Sequence, residues 1–167
     1  MRDTVFRDFI SALAAALAAV ALYSLAGSAG RDLLVVFDAF AVIVLVFSVR
    51  RGEVFGAVLG TVCGLVQDTF TLGPFGVAGL TKTLLGFWAG FVARRIDIAP
   101  FTRNALFTLA LSVLEVLLWA LVTAVVRTGS VSLHGGLFLL RPVVTAVLVS
   151  AFFVLERRVR ERRDRGD

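Results

Sequence analysis

The feature that most constrains this chain is a succession of apolar stretches, each close to the length of a membrane-spanning helix. A helical span needs roughly 20 predominantly apolar residues, with about 17 as the lower limit. Glycine, proline and paired arginines separate the stretches, as expected for turns. The stretches lie at about 9–26, 33–49, 53–68, 76–93, 105–126 and 137–155. The sequence therefore predicts one all-α, polytopic membrane domain of six transmembrane helices, followed by a basic tail at 156–167.

Composition supports this class and excludes several others. Hydrophobic residues make up 59% of the chain and charged residues 17%, whereas about a quarter of the residues of a soluble domain are charged. A single cysteine, Cys63, and a single histidine, His134, give neither a disulfide framework nor a metal cluster. We therefore expect no cofactor and no metal.

The basic residues predict the orientation, because lysine and arginine are retained on the cytoplasmic side of a membrane. With the N-terminus inside, Arg31 and Arg127 alone lie in outer segments. The inner segments then hold Arg2, Arg7, Arg50, Arg51, Arg94, Arg95, Arg103 and the tail arginines. Both termini are thus predicted to be cytoplasmic. A cleaved secretory signal is the alternative for the first stretch, although the apolar run exceeds the roughly 7–15 residues of such signals.

Ionisable residues inside predicted spans indicate buried pairs or function, since each costs roughly 2.5–3.5 kcal/mol on insertion scales. There are five: Asp38, Asp68, Lys82, Glu115 and Arg141. At about 1.5 Å per helical residue, all except Glu115 fall in the outer half of the membrane. Glu115 lies closest to the midplane. Three interpretations remain open: a structural ion-pair network, a polar cavity open to the outside for a ligand or partner, and snorkelling of the basic side chains. A direct Asp68–Lys82 pair is a narrower hypothesis.

The third stretch carries glycines at every fourth position, which share one helix face. We call Gly52, Gly56, Gly60 and Gly64 the glycine ribbon. Small residues at this spacing allow helix backbones to approach closely in lipid. Gly86 and Gly90 repeat the spacing in the fourth stretch, and alanines (Ala12, Ala16, Ala14 and Ala18) do so in the first. The ribbon is predicted to contact a helix of this chain or, alternatively, another membrane subunit.

Motifs for catalysis and for nucleotide binding are missing. Thr81 precedes Lys82, where a phosphate-binding loop needs glycine, and no strand precedes the segment. A single histidine leaves no credible catalytic triad. The chain is therefore predicted not to be an enzyme. The arginines of the tail are expected to attract anionic lipid headgroups and to fix topology, and no nucleic-acid binding is expected.

The run from Gly56 to Arg95 resembles the central part of the bacterial rod shape-determining protein MreD family. The glycine-rich helix ends on an acid (GLVQD, 64–68), a glycine-containing loop follows (LGPFG, 72–76), and the next helix ends in LLGFWAG and Arg94-Arg95. The resemblance implies a non-enzymatic inner-membrane scaffold or regulator of the cell-elongation machinery (the elongasome). It further implies partners in lateral peptidoglycan synthesis: MreC, MreB, and the wall glycosyltransferase and transpeptidase.

The same resemblance implies a fold like that of the substrate-capture subunits of energy-coupling-factor transporters. A vitamin-capture subunit is therefore the alternative function, and a small transporter or channel is a third. Few polar side chains lie in the spans to recognise a heterocycle, which favours the scaffold.

Overall fold

The structure, a computed structural model, describes residues 2–26, 37–70, 74–95, 101–126 and 140–164. Within these ranges the chain forms helices connected by turns, with no strand. The helices are α1 (Arg2–Ala26), α2 (Ala39–Arg51), α3 (Glu53–Phe70), α4 (Val77–Ala93), α5 (Phe101–Val126) and α6 (Arg141–Asp164).

The second helix begins later than its predicted span of 33–49. Residues 37 and 38 are not helical, and α2 starts at Ala39. The physical reason is a cap: the Asp38 carboxylate accepts the backbone N–H of Ala41 at 3.0 Å, which satisfies a donor in the first turn of the helix. Asp38 is therefore the N-cap of α2 and not a residue five positions inside a span, as the sequence had suggested.

The helices differ in their capacity to cross a membrane. Among the described residues, one segment, Arg103–Val126, is both long and apolar enough to do so. The apolar stretches Ile10–Ser24 and Val77–Ala93 are shorter. At about 1.5 Å per residue, the 13 residues of α2 reach only ~20 Å. The structure thus supports the all-helical prediction, whereas only one helix meets the criterion for a span.

The glycine ribbon packs against α4 inside the same chain. A Cβ atom added to Gly56, Gly60 or Gly64 would lie closer than 3.0 Å to the carbonyl oxygens of Gly86, Lys82 and Ala78, respectively. The order of these partners shows that α3 and α4 are antiparallel. On the opposite face of α3, Val54, Val58 and Val62 are exposed. One face of α3 thus carries glycines and contacts α4, and the opposite face carries exposed valines.

The remaining helices pack around this hairpin. On α2, Val44 contacts the α3–α4 crossing, lying near Gly86. Tyr23, near the end of α1, packs its ring 5.1 Å from Phe40 and 6.0 Å from Phe70. In α1, Ala12 is buried, whereas Ala14 and Ala18 are exposed. The pair α5–α6 packs on the side of α4 and also contacts α2.

Beside an apolar core that includes Phe40 and Leu45, this bundle buries several polar side chains and exposes many large apolar ones. Lys82, Asp38 and Thr81 are almost fully buried, while Leu117, Leu121 and Val147 are each 61% exposed. A soluble protein has the reverse arrangement, because water favours polar side chains at the surface. A surface of this kind is suited to contact with lipid.

Candidate functional site

The polar interior is centred on four charged side chains, which we call the charge cluster: Asp38, Lys82, Glu115 and Arg141. Each is supplied by a different part of the fold. Asp38 is the N-cap of α2, Lys82 lies one turn inside α4, Glu115 lies in the middle of α5, and Arg141 begins α6. The cluster therefore lies where α2, α4 and α6 begin, beside α5, which continues past it.

Lys82 is the centre of the charge cluster. Its Nζ atom lies 2.6 Å from Asp38 Oδ2 and 2.6 Å from Glu115 Oε1. All three residues are nearly excluded from solvent, with exposures of 1% for Lys82, 1% for Asp38 and 5% for Glu115. A lone ammonium buried to this degree would strongly destabilise the fold. The two carboxylates offset the cost of burying the Lys82 charge.

Arg141 adds the second positive charge. Its guanidinium forms an ion pair with Asp38, and its Nη2 atom lies 3.9 Å from Glu115 Oε1. Two acids and two bases therefore face one another, and the formal charges cancel. The Gln67 amide lies at the edge of the cluster, where Nε2 is 3.5 Å from Asp38 Oδ2. No sequence pattern singles out Gln67, since an amide at the end of a glycine-rich helix is not distinctive.

Asp68 caps the start of α4. Its carboxylate accepts the backbone N–H groups of Gly76 (2.9 Å), Ala78 (3.1 Å) and Gly79 (3.1 Å). These donors belong to the turn before α4 and to its first residues, which have no partner within the helix. A carboxylate here also offsets the partial positive charge of the helix N-terminus. Asp68 thus caps α4 from the end of α3, and the ion pairs of Lys82 are with Asp38 and Glu115 where a pair with Asp68 had been the hypothesis.

The turn between α2 and α3 lies at the other end of the bundle and is held by hydrogen bonds from Arg94 at the end of α4. Gly52 has a φ of 91°, a conformation that favours glycine, and ends α2. Arg94 packs on it, donating to Glu53 Oε1 at 3.0 Å and to the Arg51 carbonyl at 3.1 Å. Arg50, two residues before Gly52, forms an ion pair with Glu156 of α6. Here the charged pairs are partly exposed, in contrast to the buried charge cluster.

The charge cluster links helices through ion pairs. Each carboxylate is engaged by a cation, and each cation by a carboxylate, so neither acid is presented as a general base in the arrangement described. Its ion pairs join α2 to α4 and to α6, and α4 to α5. What the arrangement can do is hold these four helices at one register.

Comparison with known proteins identifies the family. The family model described as rod shape-determining protein MreD matches residues 6–159. No curated protein and no solved structure is significantly similar to the chain. The match covers α2 to α5 in full and most of α1 and α6, and it includes the charge cluster and the glycine ribbon. The chain therefore belongs to the MreD family of bacterial membrane proteins, which act in determining the rod shape of the cell.

Proposed function

We propose that the chain is a non-enzymatic membrane scaffold that regulates lateral peptidoglycan synthesis during cell elongation. The MreD family is a shape-determination family and not a known enzyme family. The observation that carries the proposal is the charge cluster, in which two acids and two bases engage one another. A rigid bundle with internally paired charges suits a protein that positions other proteins.

The proposal includes a six-span topology with both termini in the cytoplasm. Two observations support it: α3 and α4 are antiparallel, and the ion pairs Asp38–Arg141 and Arg50–Glu156 join α2 and α6 in parallel, as alternating helices require. The helix α2 is short, but its first turn is buried and the Asp38 carboxylate accepts the backbone N–H of Ala41 there. A helix end can lie at membrane depth when its backbone polar groups are bonded within the protein. The arginine-rich end of the bundle then faces the cytoplasm.

The partners we propose are MreC, the MreB filament, and the glycosyltransferase and transpeptidase that build the lateral wall. Anionic lipids at the basic tail are the proposed non-protein partner. The vitamin-capture alternative gains nothing from the family match. A groove between α5 and α6, with a volume of about 280 Å³, is lined by alanine, leucine and valine, with Ser150 as its polar residue. Such a lining offers little to recognise a heterocycle.

The test is replacement of the resident family member in a rod-shaped bacterium by a tagged copy of this chain. We expect cells to remain rods, and we expect MreC and the wall synthases to co-purify from native membranes in mild detergent. The disrupting variant is Lys82→Met, which unbalances the charge cluster and should fail to maintain rods. The matched control is Thr69→Ala, which removes a hydroxyl that bonds to the Val66 carbonyl of its own helix and leaves the charge cluster intact. Co-purification of a coupling ATPase with a bound vitamin would show that the scaffold proposal is wrong.

A further inference from the structure

We propose that the end of α4 binds the phosphate headgroup of an anionic phospholipid, at a surface we call the aromatic–arginine patch: Phe87, Trp88, Phe91 and Arg95. Residues at this spacing share one face of a helix. Phe87 and Trp88 are 38% and 43% exposed. The Arg95 guanidinium carbon lies 4.2 Å from the centroid of the Phe91 ring. The patch is separate from the charge cluster and from the basic tail.

The two arginines that follow α4 differ in what they contact. Arg94 turns toward α3, where it donates to Glu53 and to the Arg51 carbonyl. Arg95 turns outward onto the aromatic ring, and no carboxylate lies within ion-pairing distance of it in the part of the chain that the structure describes. Its stacking leaves the N–H edge of the guanidinium available to an acceptor. A planar guanidinium held in this way is suited to bidentate binding of phosphate.

The rings supply the apolar half of the site. Trp88 meets Phe87 and Phe91 edge to face, with centroids 6.0 and 5.8 Å apart. Arg95 follows the last turn of α4, so the apolar rings precede the cation in the direction of the arginine-rich end. Tryptophan is enriched at the level of the lipid headgroups. An exposed aromatic surface that ends in a cation, with no carboxylate paired to it among the described residues, matches the acyl chain and phosphate of one anionic lipid molecule.

Trp88 offers a direct readout. The chain has two tryptophans, so Trp119→Phe leaves Trp88 as the single fluorophore. The full chain carrying this change is reconstituted in phosphatidylcholine vesicles that contain a fixed minor fraction of brominated phosphatidylglycerol or brominated phosphatidylcholine. We expect anionic lipid to be enriched at the patch about fivefold, giving stronger quenching by brominated phosphatidylglycerol.

Arg95→Gln should abolish this preference, whereas Arg94→Gln, the matched control, should retain it. Arg95→Lys keeps the charge and loses the stacking, and should give an intermediate preference. Equal quenching by the two brominated lipids in the parent protein would overturn the proposal, leaving the patch as an interfacial anchor or a surface for an acidic partner. Loss of the preference on adding inorganic phosphate would assign the site to a free anion and equally overturn the lipid assignment.

Discussion

Among individual residues, the buried charges show what could and could not be predicted from the sequence. Counting helical residues placed Asp38, Lys82 and Arg141 at similar depth, and the structure brings these three together. The same count placed Glu115 apart, yet it joins them. Depth along a span says nothing about which face of a helix a residue occupies. It also assumes that all helices begin at one level, whereas α6 begins beside the middle of α5.

Lys82→Met should strongly destabilise the protein. It leaves the Asp38 and Glu115 carboxylates buried with Arg141 as their remaining cation, and removal of one member of a buried ion pair costs about 3–5 kcal/mol. The measurement is the free energy of unfolding in detergent, titrated with a denaturing surfactant. Arg157→Met, in an exposed pair, should change it by less than about 0.5 kcal/mol.

The double variant Lys82→Met with Glu115→Gln distinguishes charge balance from simple loss of packing. It leaves one acid, Asp38, facing one base, Arg141, so we expect it to be more stable than Lys82→Met alone. If the two substitutions merely add their destabilising effects, then Lys82 and Glu115 are not energetically coupled and the ion pair is not what holds α4 to α5.

Asp68→Ala should loosen the start of α4, because three backbone N–H groups lose their acceptor. Loss of a capping side chain costs on the order of 1–2 kcal/mol. Amide hydrogen exchange should accelerate at Gly76, Ala78 and Gly79, and less so in Asp68→Asn, which keeps one acceptor oxygen. Thr69→Ala is the neighbouring control, since the Thr69 hydroxyl bonds to its own helix. Unchanged exchange at the three amides would contradict the capping role.

Among the helices, the glycine ribbon shows a pattern that predicts a type of contact without naming its partner. Spacing by four residues indicated close backbone approach, and the structure supplies it between α3 and α4. The helix that packs on the ribbon could not be predicted, because any helix with small residues on one face satisfies the same geometry. The repetition at Gly86 and Gly90 was the available signal, since those glycines face Gly56 and Gly52 across the hairpin.

Gly60→Ala should be damaging, whereas Gly79→Ala should be tolerated. A Cβ on Gly60 would overlap with the backbone of Lys82, which cannot move without shifting α4. A Cβ on Gly79 would meet the side chain of Leu65 at 3.0 Å, and that side chain is partly exposed and can rotate away. Alanine also favours a helix by about 1 kcal/mol over glycine. We expect lower thermal stability in detergent only for Gly60→Ala.

The opposite order of stability, or two equal losses, would mean that the contact at Gly60 is looser than the structure has it. A third result is informative in cells. If Gly60→Ala protein is as abundant and stable as the wild type but no longer co-purifies with MreC, the ribbon is a partner surface and not an internal contact.

For the whole molecule, ion pairs lie at both ends of the parallel pair α2 and α6. Asp38 and Arg141 pair at the buried end, and Arg50 and Glu156 pair at the arginine-rich end. The two pairs are separated by about 18 Å along α2 and about 22 Å along α6. The arginine-rich end follows from the distribution of charge along the sequence alone. The pairing of α2 with α6 could not be predicted, because these helices are distant in the chain and neither carries a distinctive motif.

Cysteine labelling tests the proposed arrangement of the whole molecule in the membrane. The single native cysteine, Cys63, is buried and is first replaced by alanine. A cysteine is then introduced at Thr128, in the proposed outer loop, or at Arg158, in the basic tail. Because arginine is retained on the cytoplasmic side, a membrane-impermeant maleimide should label Thr128→Cys in intact spheroplasts and label Arg158→Cys only after lysis. Labelling of Arg158→Cys in intact spheroplasts would place the tail outside, and the six-span topology with cytoplasmic termini would then be wrong.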